Sequence, residues 1–339
     1  MLTANVRKNY TANGDPEAER ILTQVVSELG NDLTAAGLSV YLGGSYGRGD
    51  GGVRQDKENG ILYNDLDFFV FSRKRLPDGE NRLKELAEKY EKELSVDVDF
   101  SRIMSVNDIK NNARRLMMQE LKRGYRLVCG EDLLAAYLPE IPAEQLPYSE
   151  ACRLLLNRGM GLLLAGEMIR NHVDDPDFIL RNINKAILGA GDAVLIAEKH
   201  YKWNISERLA AVKALELPDE FKNFYTQAVE FKKSPNREIV QDLSKMWSDV
   251  RDMFRRCIEE TCGQDLAALP FHCENSGEIS LKHLIKYCIK LRKIPVTNWQ
   301  WYMLPTVAAL IPDLDQALED MPGASIRNSK LYRHWLIFN

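Results

Sequence analysis

Residues 41–52, Tyr-Leu-Gly-Gly-Ser-Tyr-Gly-Arg-Gly-Asp-Gly-Gly, and residues 64–71, Asn-Asp-Leu-Asp-Phe-Phe-Val-Phe, decide how this chain folds. The apolar run from Leu38 to Leu42 stops at Gly43-Gly44-Ser45, the pattern of a buried strand that ends in a tight turn. Neither glycine carries a Cβ and a small hydroxyl follows, so backbone N–H groups in this turn are open to an approaching phosphate. Beyond a polar insert, Asp65-Leu66-Asp67 leads into a second apolar strand, Phe68 to Phe71. Side chains alternate along a strand, so Asp65 and Asp67 share one face while Leu66 and Phe68 share the other. Two carboxylates one strand repeat apart, close to a phosphate-binding turn, suit Mg²⁺ carried on a nucleotide.

Gly44-Ser45, a gap, then Asp65-x-Asp67 and an apolar strand resemble the motif of the DNA polymerase β-like nucleotidyltransferase superfamily. That group includes antibiotic nucleotidyltransferases, poly(A) and CCA-adding enzymes and cyclic-oligonucleotide synthases. The likeness extends over Gly44-Ser45-Tyr46-Gly47-Arg48-Gly49, which is similar to the family's Gly-Ser-aromatic-x-Arg-Gly turn, where the arginine reaches the triphosphate. The resemblance implies nucleotide binding by Gly44, Ser45 and Arg48, and metal binding by Asp65 and Asp67. The chain departs from the family in its gap: the family usually sets the Asp-x-Asp closer behind the Gly-Ser, whereas residues 50–64 make a longer, Gly-rich and charged loop. With Arg54 and Lys57 it reads either as a flap over the nucleotide or as a decorated surface loop of the kind folds tolerate.

Ser95 to Phe100, Ser-Val-Asp-Val-Asp-Phe, alternates so that Val96, Val98 and Phe100 share one face and Asp97 and Asp99 the other. A half-exposed strand shows this pattern for solubility alone. In the superfamily a strand beside the Asp-x-Asp supplies a third carboxylate, which serves the metal and the acceptor hydroxyl's proton. The resemblance points to Asp97 for that role, with Asp99 as the fallback because both project the same way.

The bulk properties set the frame. At 339 residues two domains are expected. Apolar residues are 45% and charged residues 28%, the balance of a soluble globular protein. No apolar run reaches the ~18 residues that span a bilayer, and residues 1–10 lack the apolar core of a signal peptide, so no membrane association and a cytoplasmic setting are expected. Six scattered cysteines imply reduced thiols. The net charge of −4 gives no basic field for tracking along long nucleic acid, which favours a smaller acceptor.

Helices are expected over residues 16–37, 80–94, 107–124 and 131–137, the third carrying Lys110, Arg114, Arg115, Lys122 and Arg123 as a solvated or phosphate-facing basic surface. Pro139, Pro142 and Pro147 mark a linker. Beyond it strand signals nearly vanish, and helices are expected over residues 150–172, 178–200, 207–215, 220–233, 238–262 and 281–291. The small residues Gly189, Ala190, Gly191 and Ala193 suit close helix packing, and Tyr201 to Asn204 and Trp299 to Tyr302 offer aromatic packing or stacking surfaces. Cys257, Cys262, His272, Cys273, His283 and Cys288 lack the paired short spacings of a zinc finger and read as buried thiols and isolated histidines.

The expected fold is therefore α+β: a polymerase β-like nucleotidyltransferase domain over residues 1–140, its mixed sheet flanked by helices, then an all-α helical domain over residues 148–339. Relatives with such a helical domain hold the acceptor or close over it, and in some a lysine there meets the triphosphate, a role that falls to Lys185. The implied activity is Mg²⁺-dependent transfer of a nucleoside monophosphate from a nucleoside triphosphate to a hydroxyl of a small-molecule acceptor, with Mn²⁺ as a possible substitute metal. Two other readings stand beside it: a cyclic-dinucleotide or oligonucleotide synthase, whose acceptor is another nucleotide, and a catalytically silent nucleotide-binding protein.

Overall fold

Asp15 opens the first helix: its carboxylate accepts the N–H groups of Glu17 and Ala18 at 3.1 and 3.0 Å. Pro16 follows at the first helical position, where no N–H is needed. The helix, α1 (Pro16–Thr34), buries Leu22, Val25, Leu29 and Leu33 along one face. The computed structural model describes residues 9–34, 36–54, 61–74, 79–236, 242–262 and 325. The chain is a mixed α and β protein of two units, Met1–Pro142 with Glu230–Asn236, and Ala143–Val229 with Arg237–Asn339.

The first unit is built on a sheet in the order β3 (Val98–Phe100), β2 (Leu66–Ser72), β1 (Ser39–Leu42) and β5 (Arg126–Cys129), with a further short strand, β4 (Met104–Ser105), on β2. β1 is central and buried throughout, and pairs antiparallel with β2 and β5. β3 and β4 lie parallel to β2. One face of the sheet, with Val40, Leu42, Leu66, Phe68, Val70 and Val98, packs against α1 and α3 (Gly79–Leu94) to form the larger core. The other face carries Tyr41 and Phe71 at its far end, covered by Ile109 of α4 (Val106–Asn111), Met118 and Leu121 of α5 (Leu116–Arg123) and Leu133 and Leu134 of α6 (Leu133–Tyr137). Between Gly44 and Arg48 the chain makes one short helix, α2 (Gly44–Arg48).

Two expectations change in detail. Residues 107–124 are two helices, not one. Ser105 and Asp108 make a reciprocal capping box at the start of α4, and the Asn112 amide donates to Asp108 O at 2.8 Å as it ends. The fully buried Gln119 amide then donates to Ala113 O and Pro139 O at 2.6 and 2.9 Å, holding the interrupted backbone from both sides. Two of the basic side chains face carbonyls: Lys122 donates to Leu134 O at 2.8 Å and Arg123 to Ile141 O at 2.6 Å. The second change is at residues 95–100, where Ser95 takes a positive φ of 56° after α3 and ladder pairing begins only at Val98.

In the second unit the described elements are helices and one short 3-10 turn: α7 (Tyr148–Arg170), α8 (Pro176–Ala197), α9 (Ile205–Ala214), α10 (Asp219–Lys233), whose last turn belongs to the first unit, and α11 (Leu243–Cys262). The small residues of α8 do serve close packing, since a Cβ on Gly189 would lie 2.4 Å from Arg158 Cγ and one on Gly191 2.3 Å from the Tyr225 ring. Tyr225 donates to Asp192 at 2.7 Å, and Arg208 sits 3.4 Å from the same carboxylate and donates to Tyr201. The Trp203 ring meets Tyr201 edge-on, so this aromatic pair is packing. Cys257 is a buried free thiol directed at Ala190 O; the helix expected at 281–291, Trp299 to Tyr302 and the remaining cysteines and histidines of residues 272–288 lie outside the described residues. Among the described residues no helix is long and apolar enough to cross a membrane.

Candidate active site

β1 ends where Gly43 N–H donates to Asp67 O at 2.8 Å, the last rung between the Gly-Ser turn and the Asp-x-Asp strand. Gly44 then turns with a φ of +60°, a conformation that glycine adopts without the Cβ penalty other residues meet. The turn is pressed against a carboxylate: a Cβ on Gly44 would lie 2.0 Å from Asp67 Oδ2 and 2.9 Å from Cγ. The two motifs that are separated in sequence by the insert are therefore in contact, through a space that only a hydrogen at position 44 leaves open. Ser45, half-buried, begins the α2 turn beside them.

The register of β2 on β3 sets the other acids. Leu66 pairs with Val98, Asp67 with Asp99 and Phe68 with Phe100. The Phe68 and Phe100 rings stack at 4.9 Å on the core side, so alternation puts Asp67 and Asp99 side by side on the opposite face. Leu66 N–H donates to Asp97 O at 2.9 Å, and continuing the register by one residue brings Asp97 level with Asp65. Asp97 and Asp99 are exposed, while Asp65 and Asp67 are half-buried. Asp97 precedes the strand instead of lying within it, and the cross-strand partner of Asp67 is Asp99. Among the described residues no group of three or more Asp, Glu, His or Cys side chains is placed to hold a metal ion. The acids make an open row beside the Gly44 space, which fits Mg²⁺ as nucleotides carry it, held by one or two carboxylates with phosphate oxygens and waters completing its shell.

Arg48 closes α2. Its stem lies along Gly124, where a Cβ would come within 2.1 Å of Arg48 Cγ, and its guanidinium stands 3.6 Å from Asp50 and 3.7 Å from Glu120. The side chain is 17% exposed, with an acid beside two of its guanidinium nitrogens. Lys185 is half-buried midway along α8 in the second unit.

The insert is closed at its base. Val53 bridges Leu62 antiparallel, Arg54 N–H donates to Ile61 O at 2.9 Å, and the buried Arg54 Nε donates to Leu62 O at 3.0 Å. Arg54 thus serves the loop's own backbone, while Lys57 lies outside the described residues. The N-terminal segment joins here, Thr11 bridging Gly51. Glu19 holds that segment by accepting from the N–H groups of Tyr10 and Thr11 and from the Thr11 hydroxyl at 2.7 Å.

Sequence reasoning passed over Tyr46, which counted only as the aromatic of the turn. It is fully buried, and its hydroxyl donates to Gly52 O at 2.9 Å and accepts the N–H groups of Tyr63 at 3.0 Å and Asn64 at 3.2 Å. Burial pushes this phenol up to about 12; the two N–H donors oppose the rise and the Asp65 carboxylate adds to it. Nothing in the sequence marks a tyrosine hydroxyl whose partners are main-chain atoms. No protein-family model matches the chain, and no curated protein matches it.

Proposed function

We propose that this protein is a nucleotidyltransferase with a polymerase β-like catalytic domain and an all-α second domain, moving a nucleoside monophosphate from a nucleoside triphosphate to a hydroxyl of a small-molecule acceptor. The observation that carries the reading is the contact between the Gly44 turn and the Asp67 carboxylate, with Asp99 in register beside it. A phosphate cradle and a row of carboxylates are what this transfer needs, because positioning and charge neutralisation supply most of its catalysis and no covalent nucleophile is required. Gly44 and Ser45 would receive the β- and γ-phosphates, with Arg48 adding positive charge. Asp65 and Asp67 would hold Mg²⁺ or Mn²⁺, which supplies charge neutralisation at the phosphates when bound; Asp99 would stand beside them as the third carboxylate toward the acceptor, with Asp97 as the alternative. The acceptor oxygen bonds to the α-phosphorus, the bond to the bridging oxygen breaks, pyrophosphate leaves with that electron pair, and the hydroxyl proton passes to a carboxylate oxygen of the third aspartate. Buried free thiols at Cys129, Cys152 and Cys257 accord with a reducing, cytoplasmic setting.

The test is incubation of the full chain with labelled ATP, GTP, CTP and UTP and Mg²⁺, first alone and then with a panel of hydroxyl acceptors. Pyrophosphate formed only with an added acceptor supports the reading, and oligonucleotides or cyclic products formed without one assign the acceptor role to a second nucleotide. Asp67→Asn, whose side chain keeps the same size, is expected to abolish turnover and leave the thermal unfolding midpoint nearly unchanged. Full turnover in that variant would refute the assignment.

A further inference from the structure

The insert of residues 50–64 raises a physical problem for the nucleotide-transfer reading: a long loop between the phosphate turn and the first carboxylate leaves the position of Asp65 free to vary unless something ties the loop's two ends together. The tie is visible at one atom. A tyrosine hydroxyl has one proton to donate and two lone pairs to accept with, and Tyr46 uses all three: Gly52 O takes the proton, and Tyr63 N–H and Asn64 N–H fill the lone pairs. Gly52 is at the start of the insert, and Tyr63 and Asn64 are the two residues immediately before Asp65. Asn64 returns the tie, since its side-chain oxygen accepts Gly52 N–H at 2.7 Å. The ring cannot shift to follow the loop, because it is fully buried and lies against Gly51, where a Cβ would come within 2.0 Å of Cδ1. The same residue belongs to α2, one step after Ser45.

We propose that Tyr46 is a positioning residue whose hydroxyl sets the distance between the Gly44-Ser45 turn and the Asp65-Leu66-Asp67 carboxylates, a role that rests on the nucleotide-transfer reading above. It touches neither phosphate nor metal, and acts by fixing the backbone from which Asp65 enters the site. The alternative is that Tyr46 only fills the core, in which case its ring matters and its hydroxyl affects stability alone.

Tyr46→Phe separates the two, because it keeps the ring and removes the tie. Full-length parent and variant are compared with ATP, GTP, CTP and UTP and the same panel of hydroxyl acceptors for kcat, for KM at saturating Mg²⁺ and for the Mg²⁺ concentration giving half-maximal rate; Mn²⁺-dependent nucleotide binding is followed by calorimetry. The expected result is a half-saturating Mg²⁺ concentration raised about tenfold or more and a kcat lowered about 10- to 100-fold, the scale of an ångström's misplacement, with KM within about threefold. A folded variant with an unchanged Mg²⁺ requirement and kcat overturns the proposal and leaves the nucleotidyltransferase reading standing. A parent protein with neither turnover nor metal-dependent nucleotide binding overturns both. Should Tyr46→Phe fail to fold, Asn64→Ala opens the same ring from its half-buried side; it is expected to raise the Mg²⁺ requirement several-fold, and an unchanged requirement counts against the proposal.

Discussion

Replacing Gly44 with alanine tests the contact on which the site reading rests, and a second glycine supplies the control. Gly44 and Gly37 adopt nearly the same left-handed conformation, with φ of +60° and +66°, but a Cβ on Gly37 meets nothing within 4 Å while one on Gly44 would stand 2.0 Å from Asp67 Oδ2. The left-handed penalty for an L-residue is about 1–2 kcal/mol, offset in part by the ~0.4–1 kcal/mol that the lost glycine freedom takes from the unfolded chain. Both variants should therefore lose about 1 kcal/mol, a fall in Tm of roughly 2–4 °C for a unit of this size. Only in Gly44→Ala must the carboxylate oxygen retreat, from 2.0 Å to the 3.4 Å of ordinary contact. A misplacement of about 1 Å in a reacting constellation costs on the order of 100-fold in rate. Differential scanning calorimetry and pyrophosphate release, run on both proteins, should show similar small losses of Tm, near-parental turnover for Gly37→Ala and a loss of about 100-fold or more for Gly44→Ala. Equal turnover in the two variants would refute the claim that Asp67 works from the position it holds against Gly44.

The two remaining predictions concern the third carboxylate and high pH. Since Asp67 pairs in register with Asp99 and Asp97 precedes the strand, Asp99→Asn should lower kcat by about 100-fold or more and Asp97→Asn by less than about tenfold; the reverse order in a steady-state comparison would return the role to Asp97. Tyr46, Tyr41 and Tyr125 have phenols raised above the usual range, each chiefly by burial, with Tyr46 reaching about 12. The folded state then holds protons that the unfolded chain gives up near pH 10, so this stability is fully present below pH ~10 and is lost as pH rises through about 12. Circular dichroism followed with tyrosinate absorbance should show unfolding and ionisation together in that window; ionisation of all tyrosines near pH 10 with the fold retained would contradict it.

What the sequence disclosed and what it hid divide along a physical line. The strand, turn, strand order of residues 38–72 was legible because it depends on local features: an apolar run, two residues without Cβ, and acids at period two before Phe68. The register was not, because it depends on where pairing starts. Ser95 leaves α3 with a φ of 56°, which delays β3 to Val98 and sets Asp99 beside Asp67. Alternation put Asp97 and Asp99 on one face and had no means of choosing between them. The break between α4 and α5 was hidden for a related reason. The basic run of residues 110–123 suits a helix locally, and it is interrupted where the buried Gln119 amide bonds to Ala113 O and to Pro139 O, the latter 20 residues along the chain.

The same distinction explains why the insert of residues 50–64 looked dispensable. A polar, Gly-rich loop carries no sequence mark of being tethered, and the hydrogen bonds of Tyr46 to Gly52, Tyr63 and Asn64, and of Arg54 to Leu62, run to main-chain atoms. Main-chain partners can be met by any residue type, so these bonds hold the described ends of the loop without marking its sequence. Asp65 follows Asn64 directly, so removing one residue between Leu62 and Asp65 would break the Tyr46 ring of hydrogen bonds and pull on the backbone from which Asp65 enters β2. The backbone leading into the first carboxylate is thus held by the N–H groups of Tyr63 and Asn64 on Tyr46.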